Sequence, residues 1–261
     1  MVAIEGGRTR IEFFVVAALV LALAPSATAS QGCSDSCEWG YGPEGGPPSW
    51  GEICCPVCDG RSQSPVDLRA GESRPTDLGS LSLDYSESHL ELFNNGHTIE
   101  AADELEESDN FLEVGERRYD FAQLHFHSLS EHTIKGRHSP LEMHLVHERA
   151  SYDLAVIAVM VEEGEVNEAF APMWNSLPAD EATEPRTVIL NPRKLLPKNL
   201  GYYTYAGSLT TPNCSEVVTW FVIEEPVHMS LEQIEAFRAV FDHNYRPVQP
   251  LNGRAVLRGG R

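Results

Sequence analysis

A chain of 261 residues with 39 acidic against 19 basic side chains has a formal charge of −20. It repels polyanions over a Debye length of roughly 8 to 10 Å, which excludes nucleic acid and anionic membrane surfaces as partners. At this length a β-rich chain forms one domain with a sizeable core, and no repeat that would indicate a solenoid or propeller is present.

Arg8 and Arg10 precede the apolar run Ile11–Ala24, and Ala27-Thr28-Ala29 follows. That order reads as a signal peptide over residues 1–29, leaving 30–261 as the mature domain and implying a secreted or periplasmic protein. The run of about 14 residues is short of the roughly 20 that cross a bilayer as a helix, and no later segment is longer, so no membrane insertion is expected. Cys33, Cys37, Cys54, Cys55, Cys58 and Cys214 then fall in an export context, where disulfides are the first reading. The Gly- and Pro-rich stretch Gly40–Pro48 reads as irregular chain.

Short runs rich in β-branched and aromatic residues come next, at Leu90–Phe93, Tyr119–Phe126, Met143–Val146, Leu154–Val161, Val188–Leu190 and Val217–Ile223. They predict a mainly β fold. Leu154–Val161 lacks alternation and reads as a central strand buried on both faces. Two helices are readable, one from the stripe Val166, Ala169, Phe170, Met173, Trp174 and Leu177. The other follows from Leu231, Ile234, Phe237, Val240 and Phe241, with Ser230 and Gln233 as a capping box. The acidic stretch Asp103–Asp109 reads as a solvated loop.

The chemistry concentrates in Gln123-Leu124-His125-Phe126-His127 and Glu142-Met143-His144. On a strand, i and i+2 share a face, so His125 and His127 present two imidazoles side by side, and a neighbouring strand can bring His144. Three neutral imidazoles with one open position describe a catalytic zinc site. His-x-His also occurs on ordinary polar sheet faces. Gln123 and Glu142, each two residues before a candidate ligand, favour the metal because zinc-bound histidines pass their other N–H to such acceptors. His147 has the opposite parity to His144 and is expected to face away.

These residues, together with Trp39-Gly40-Tyr41, Gln63-Ser64-Pro65-Val66-Asp67, Asn94-Asn95-Gly96-His97, Ser130-Glu131-His132-Thr133, Gly207-Ser208-Leu209-Thr210-Thr211-Pro212 and Arg246-Pro247, resemble the alpha-class carbonic anhydrases of bacterial, exported type from about Trp39 to Leu257. The resemblance implies a strongly twisted, mostly antiparallel sheet of about ten strands with a few peripheral helices. It implies zinc as cofactor, carbon dioxide and bicarbonate as substrate and product, and attack by an oriented zinc-bound hydroxide. Oligomeric state is not implied. Thr210 matches the threonine that donates its single proton to a buried glutamate, here Glu131, so that its oxygen accepts from the hydroxide. Val146, Val156, Leu209, Val218 and Trp220 match the apolar wall for carbon dioxide, and Thr211 a contact to bicarbonate or water. His97 matches the proton shuttle, suited by a pKa near 6.5, and Tyr41 and Asn95 match organisers of the water chain leading to it. Since no ligand is lost, an active lyase is expected rather than a silent binding domain, with ester hydrolysis as a side activity.

The resemblance also pairs Cys58 with Cys214, fixing the loop that carries Thr210. Cys33, Cys37, Cys54 and Cys55 have no counterpart. Two disulfides linking the first pair to the second, or a four-cysteine structural zinc site, both fit, and spacing does not choose the connectivity. Asn213-Cys214-Ser215 matches a glycosylation acceptor only formally, because it falls on the cleft rim.

Overall fold

The computed structural model describes Cys33 and residues 37–103, 109–149 and 153–260; the leader-like residues 1–29 and most of the acidic stretch, 104–108, lie outside the described residues. Ten strands form one continuous hydrogen-bonded path. They are β1 (Arg74–Pro75), β2 (Ser88–Asn94), β3 (Ile99–Asp103), β4 (Arg117–His127), β5 (Leu141–Arg149), β6 (Asp153–Glu163), β7 (Arg186–Leu190), β8 (Tyr202–Gly207), β9 (Val218–Ile223) and β10 (Leu257–Gly259). Their spatial order is β7-β2-β3-β4-β5-β6-β9-β8-β10-β1, and three short strands along its margins bring the sheet to 13 strands. Along the path only β6–β9 and β10–β1 are parallel. The fold is therefore mostly antiparallel β, as the sequence predicts.

The unbroken apolar run of β6 has the expected cause. Ala155, Ile157, Val159 and Val161 enter the larger core on one face, while Val156, Ala158 and Met160 enter a second apolar cluster on the other. Each buried Val, Ile or Met side chain here contributes about 1.5–3 kcal/mol of transfer free energy, so this strand anchors the middle of the sheet.

In β4 the parity changes partway. Tyr119 and Phe121 pack in the larger core, yet beyond them it is Leu124 and Phe126 that do so. The switch is a β-bulge, seen as a register shift against β5 between Phe121 and Gln123. An inserted residue exchanges the two faces of the strand beyond it. Gln123, His125 and His127 are thereby delivered to the face opposite that core.

Among the described residues three short helices lie outside the sheet: α1 (Trp50–Ile53), α2 (Ala171–Trp174) and α3 (Leu231–Arg238). In α3 the Ser230–Gln233 capping box forms in both directions, and Ile234 and Phe237 are buried. The helix expected across Val166–Leu177 is instead a 3₁₀ turn, Glu168–Phe170, running into the single turn of α2. Pro172 supplies no N–H to carry a longer helix, and Val166 turns outward, 59% exposed.

Candidate active site

His125 on β4 stands directly opposite His144 on β5, and His127 opposite Glu142. His125 Nε2 lies 3.1 Å from His127 Nε2 and 3.2 Å from His144 Nδ1. The opposite nitrogen of every ring donates its proton elsewhere. His125 Nδ1–H goes to Gln123 Oε1 at 2.8 Å, His127 Nδ1–H to the Asn244 carbonyl at 2.7 Å, and His144 Nε2–H to Glu142 Oε1 at 2.8 Å. Those bonds leave three bare lone pairs facing one another. Burial holds His125 well below the usual imidazole range and His127 below it, so these two rings stay neutral rather than relieve the repulsion by protonation. A divalent cation relieves it directly. For Zn–N bonds of about 2.0–2.1 Å, tetrahedral ligands sit roughly 3.3 Å apart, close to the spacing observed. The donor set therefore fits zinc.

Behind the triad, Glu142 is fully buried and takes three hydrogen bonds. Besides His144 these are the His132 backbone N–H to Oε2 at 2.8 Å and His132 Nδ1–H to Oε1 at 2.7 Å. Burial alone raises its pKa, but His132 and His144 outweigh burial and hold the carboxylate well below its ordinary value. His132 Nε2 meets the Tyr205 hydroxyl at 2.7 Å, which is itself 2.9 Å from Ser64 Oγ. Neither this chain nor the Asn244 carbonyl was singled out from the sequence: a main-chain acceptor leaves no side-chain signal, and His132 stood there only as part of a motif.

Glu131 is also fully buried. Its Oε1 accepts the Arg246 N–H at 2.9 Å, whereas Oε2, 3.5 Å from His127 Nε2, has no hydrogen-bond partner. The Thr210 hydroxyl that the resemblance aims at Glu131 is thus not seated on that oxygen here. The Arg246 guanidinium donates to Gln63 Oε1, the Ser64 carbonyl and the Cys58 carbonyl at 2.7–2.9 Å, tying the glutamate to the disulfide segment.

All five expected wall residues come together. Val156, Val218 and Trp220 are buried in the second apolar cluster, and Val146 and Leu209 pack against it partly exposed. Val146 pairs with Val156 across β5–β6, and Val156 with Trp220 across β6–β9. The Trp220 ring lies 4.9 Å from that of His144, so the apolar surface reaches the histidine triad.

The open cleft over the triad is lined by His125, His127, Gln123 and Thr211 and also by Tyr41, Asn95, His97 and Trp39. Asn95 Oδ1 accepts the His97 and Thr98 N–H groups, and its amide donates to Glu100 Oε2 at 3.1 Å, so it shapes the turn presenting His97. The His97 ring is half-buried, which lowers its pKa, with Glu181 opposing. Burial, and secondarily the charge of Glu131, hold the Tyr41 phenol well above its ordinary range. Glu100, in register with His125, was passed over in the sequence; burial raises its carboxyl despite the bond from Asn95. His147 faces the opposite side as expected, its Nε2 against the Tyr85 hydroxyl at 2.5 Å and its ring 5.7 Å from Phe121.

The cysteines form Cys33–Cys55, Cys37–Cys54 and Cys58–Cys214. The expected Cys58–Cys214 pair is present, and of the two readings of the other four the structure takes the disulfides, not the four-cysteine metal site. No helix among the described residues is long and apolar enough to cross a membrane.

Residues 45–259 match the model of the eukaryotic-type carbonic anhydrase family. A carbonic anhydrase of Pectobacterium atrosepticum is 40% identical over 91% of this chain and 97% of its own length. One of Neisseria gonorrhoeae is 39% identical over 91% and 94%. Among solved structures, an alpha-carbonic anhydrase of Thermovibrio ammonificans in complex with the inhibitor sulfanilamide superposes with TM-score 0.80 at 38% identity, covering 85% of this chain and 99% of that one. The Photobacterium profundum alpha-carbonic anhydrase gives 0.78 at 40% identity, covering 84% and 100%. A sheet of this topology, a histidine triad at its centre and likeness across nearly the whole described chain agree: the chain belongs to the eukaryotic-type, or alpha, carbonic anhydrases, the enzymes of reversible carbon dioxide hydration.

Proposed function

We propose that this chain is an exported zinc carbonic anhydrase in which His125 Nε2, His127 Nε2 and His144 Nδ1 hold the metal and His97 carries the product proton to solvent. The observation that carries the reading is the set of three converging lone pairs, each fixed by a proton donated outward to Gln123, Asn244 or Glu142. Zinc, when bound, supplies a Lewis acid that brings the pKa of coordinated water to about 7, a value known from carbonic anhydrases themselves.

The remaining work belongs to the chain. Val146, Val156, Leu209, Val218 and Trp220 give an apolar molecule such as carbon dioxide a surface beside the ligands. Glu131 Oε2 carries an unmet acceptor, and leaving it so costs about 1–3 kcal/mol. Thr210, between the wall residue Leu209 and the cleft residue Thr211, is the donor we assign to it. With its one proton committed there, the hydroxyl oxygen can only accept, which fixes the orientation of whatever donates to it. Thr211 contacts product in the cleft. Tyr41 and Asn95 order the solvent between the triad and His97, whose imidazole, its pKa lowered by burial, relays the proton outward.

The basic and then apolar start of the chain and its three disulfides support export to an oxidising compartment. Metal analysis of the purified chain tests the site: one zinc per chain is expected in the wild type and none in His125→Ala. A wild-type chain that takes up no zinc overturns the reading.

A further inference from the structure

The short segment from Cys54 to Cys58 receives all three disulfides. Through Cys58 it holds Cys214, in the connection 208–217 that also carries Thr210. Through Cys54 and Cys55 it holds Cys37 and Cys33, and the described residues 37–46 form a strap outside every strand and helix. The strap carries Trp39. Its indole lies face to face with the His97 ring, centroids 3.7 Å apart and planes within 10°. Behind it the Trp50 ring meets Trp39 edge-on at 5.3 Å, and Trp50 Nε1–H donates to the Gly45 carbonyl at 2.9 Å.

Among the described residues the His97 ring makes no hydrogen bond; the turn fixes only its backbone, through Asn95 and Asn244. Besides the charge of Glu181, its orientation therefore rests on the stack. An aromatic pair of this geometry biases a rotamer population by roughly 2- to 10-fold, provided the partner ring is itself held still. Trp39 belongs to no strand or helix; it packs edge-on against Trp50 and Tyr41, and the cross-links tie its strap to the segment that follows Trp50.

We propose that Cys33–Cys55 and Cys37–Cys54 form a clasp that positions His97 for proton transfer by holding Trp39 against its ring. The proposal rests on the reading of His97 as the shuttle, and it gives these two disulfides a task within the reaction. Trp39 and the four cysteines are positioning residues, since none exchanges the proton itself.

The test uses the zinc-loaded full chain as wild type, Cys33→Ser/Cys55→Ser with Cys37→Ser/Cys54→Ser, Trp39→Ala with all disulfides intact, and His97→Ala. Carbon dioxide hydration is followed by stopped flow in weak buffer and in imidazole, and the His97 ring protons by NMR. In the clasp-free and Trp39→Ala chains, kcat in weak buffer is expected to fall roughly 2- to 10-fold, the population bias that the stack supplies. Imidazole should restore it, kcat/KM should hold, and the ring protons should lose the upfield shift that stacking imposes.

If His97→Ala shows the buffer defect and the other chains do not, the clasp is overturned while the shuttle stands. If His97→Ala shows none, the shuttle reading fails and the clasp with it. A parallel loss of kcat and kcat/KM that imidazole cannot restore marks the disulfides as scaffolding and overturns the proposal. Should the clasp-free chain not fold, Trp39→Ala decides by the same criteria.

Discussion

His125 and His144 face each other in register across β4 and β5, with Nε2 of the first 3.2 Å from Nδ1 of the second. One ring offers Nε2 and the other Nδ1 because their acceptors sit on different sides, Gln123 beside His125 Nδ1 and Glu142 beside His144 Nε2. The tautomers are thus set by side chains two residues up each strand.

Gln123→Leu removes the acceptor and leaves His125 Nδ1–H without its protein partner in a part-buried site. Zinc affinity is expected to fall about 10- to 100-fold, as for other supports of metal-bound histidines. Competition with a chelator measures it, and an unchanged affinity would show that the ring needs no such anchor.

Cys58–Cys214 closes a separation of 156 residues and ends beside the loop of Thr210 and Thr211. Replacing both cysteines by alanine is expected to cost about 2–5 kcal/mol of stability. Because the loop carries cleft residues, kcat/KM should fall as well, even well below the new unfolding midpoint. Denaturant unfolding together with hydration kinetics reads both.

His147 is held neutral in the core, its pKa lowered by burial from 6.5 to about 4. As pH falls, the unfolded chain takes up this proton first, so stability is complete above about 6.5 and is lost progressively from there to about 4. Between pH 7 and 5 this group accounts for about 2 kcal/mol. In chelator, so that metal release adds nothing, His147→Phe should lose about that much less than the wild type over the interval. Urea midpoints at the two pH values check it, and an equal loss in both chains would remove His147 as the cause.

Much of this was legible beforehand, for identifiable reasons. A strand buried on both faces shows itself as the pure apolar run of β6, and a triad with its acceptors shows itself as residues spaced by two. Tyr119, Phe121 and His125 share a parity yet face opposite sides, and nothing in the alternation marks the bulge that separates them. Ile99–Asp103 reads Ile-Glu-Ala-Ala-Asp, without the β-branched pattern of a strand, so β3 and its Glu100 went unseen. The stripe at Val166–Leu177 was real as a core contact and wrong as a helix, because Pro172 interrupts it. Cysteine pairing depends on which distant segments the sheet brings together, and spacing carries no record of that.

The central claim is that the triad holds the zinc on which carbon dioxide hydration depends. Stopped-flow hydration by the zinc-supplemented wild type and His144→Ala tests it most directly. Rapid hydration by the wild type with one zinc per chain, collapsing toward the uncatalysed rate in His144→Ala, is the expected result. Full hydration by the variant, or a pure wild-type chain with neither zinc nor hydration, would contradict it.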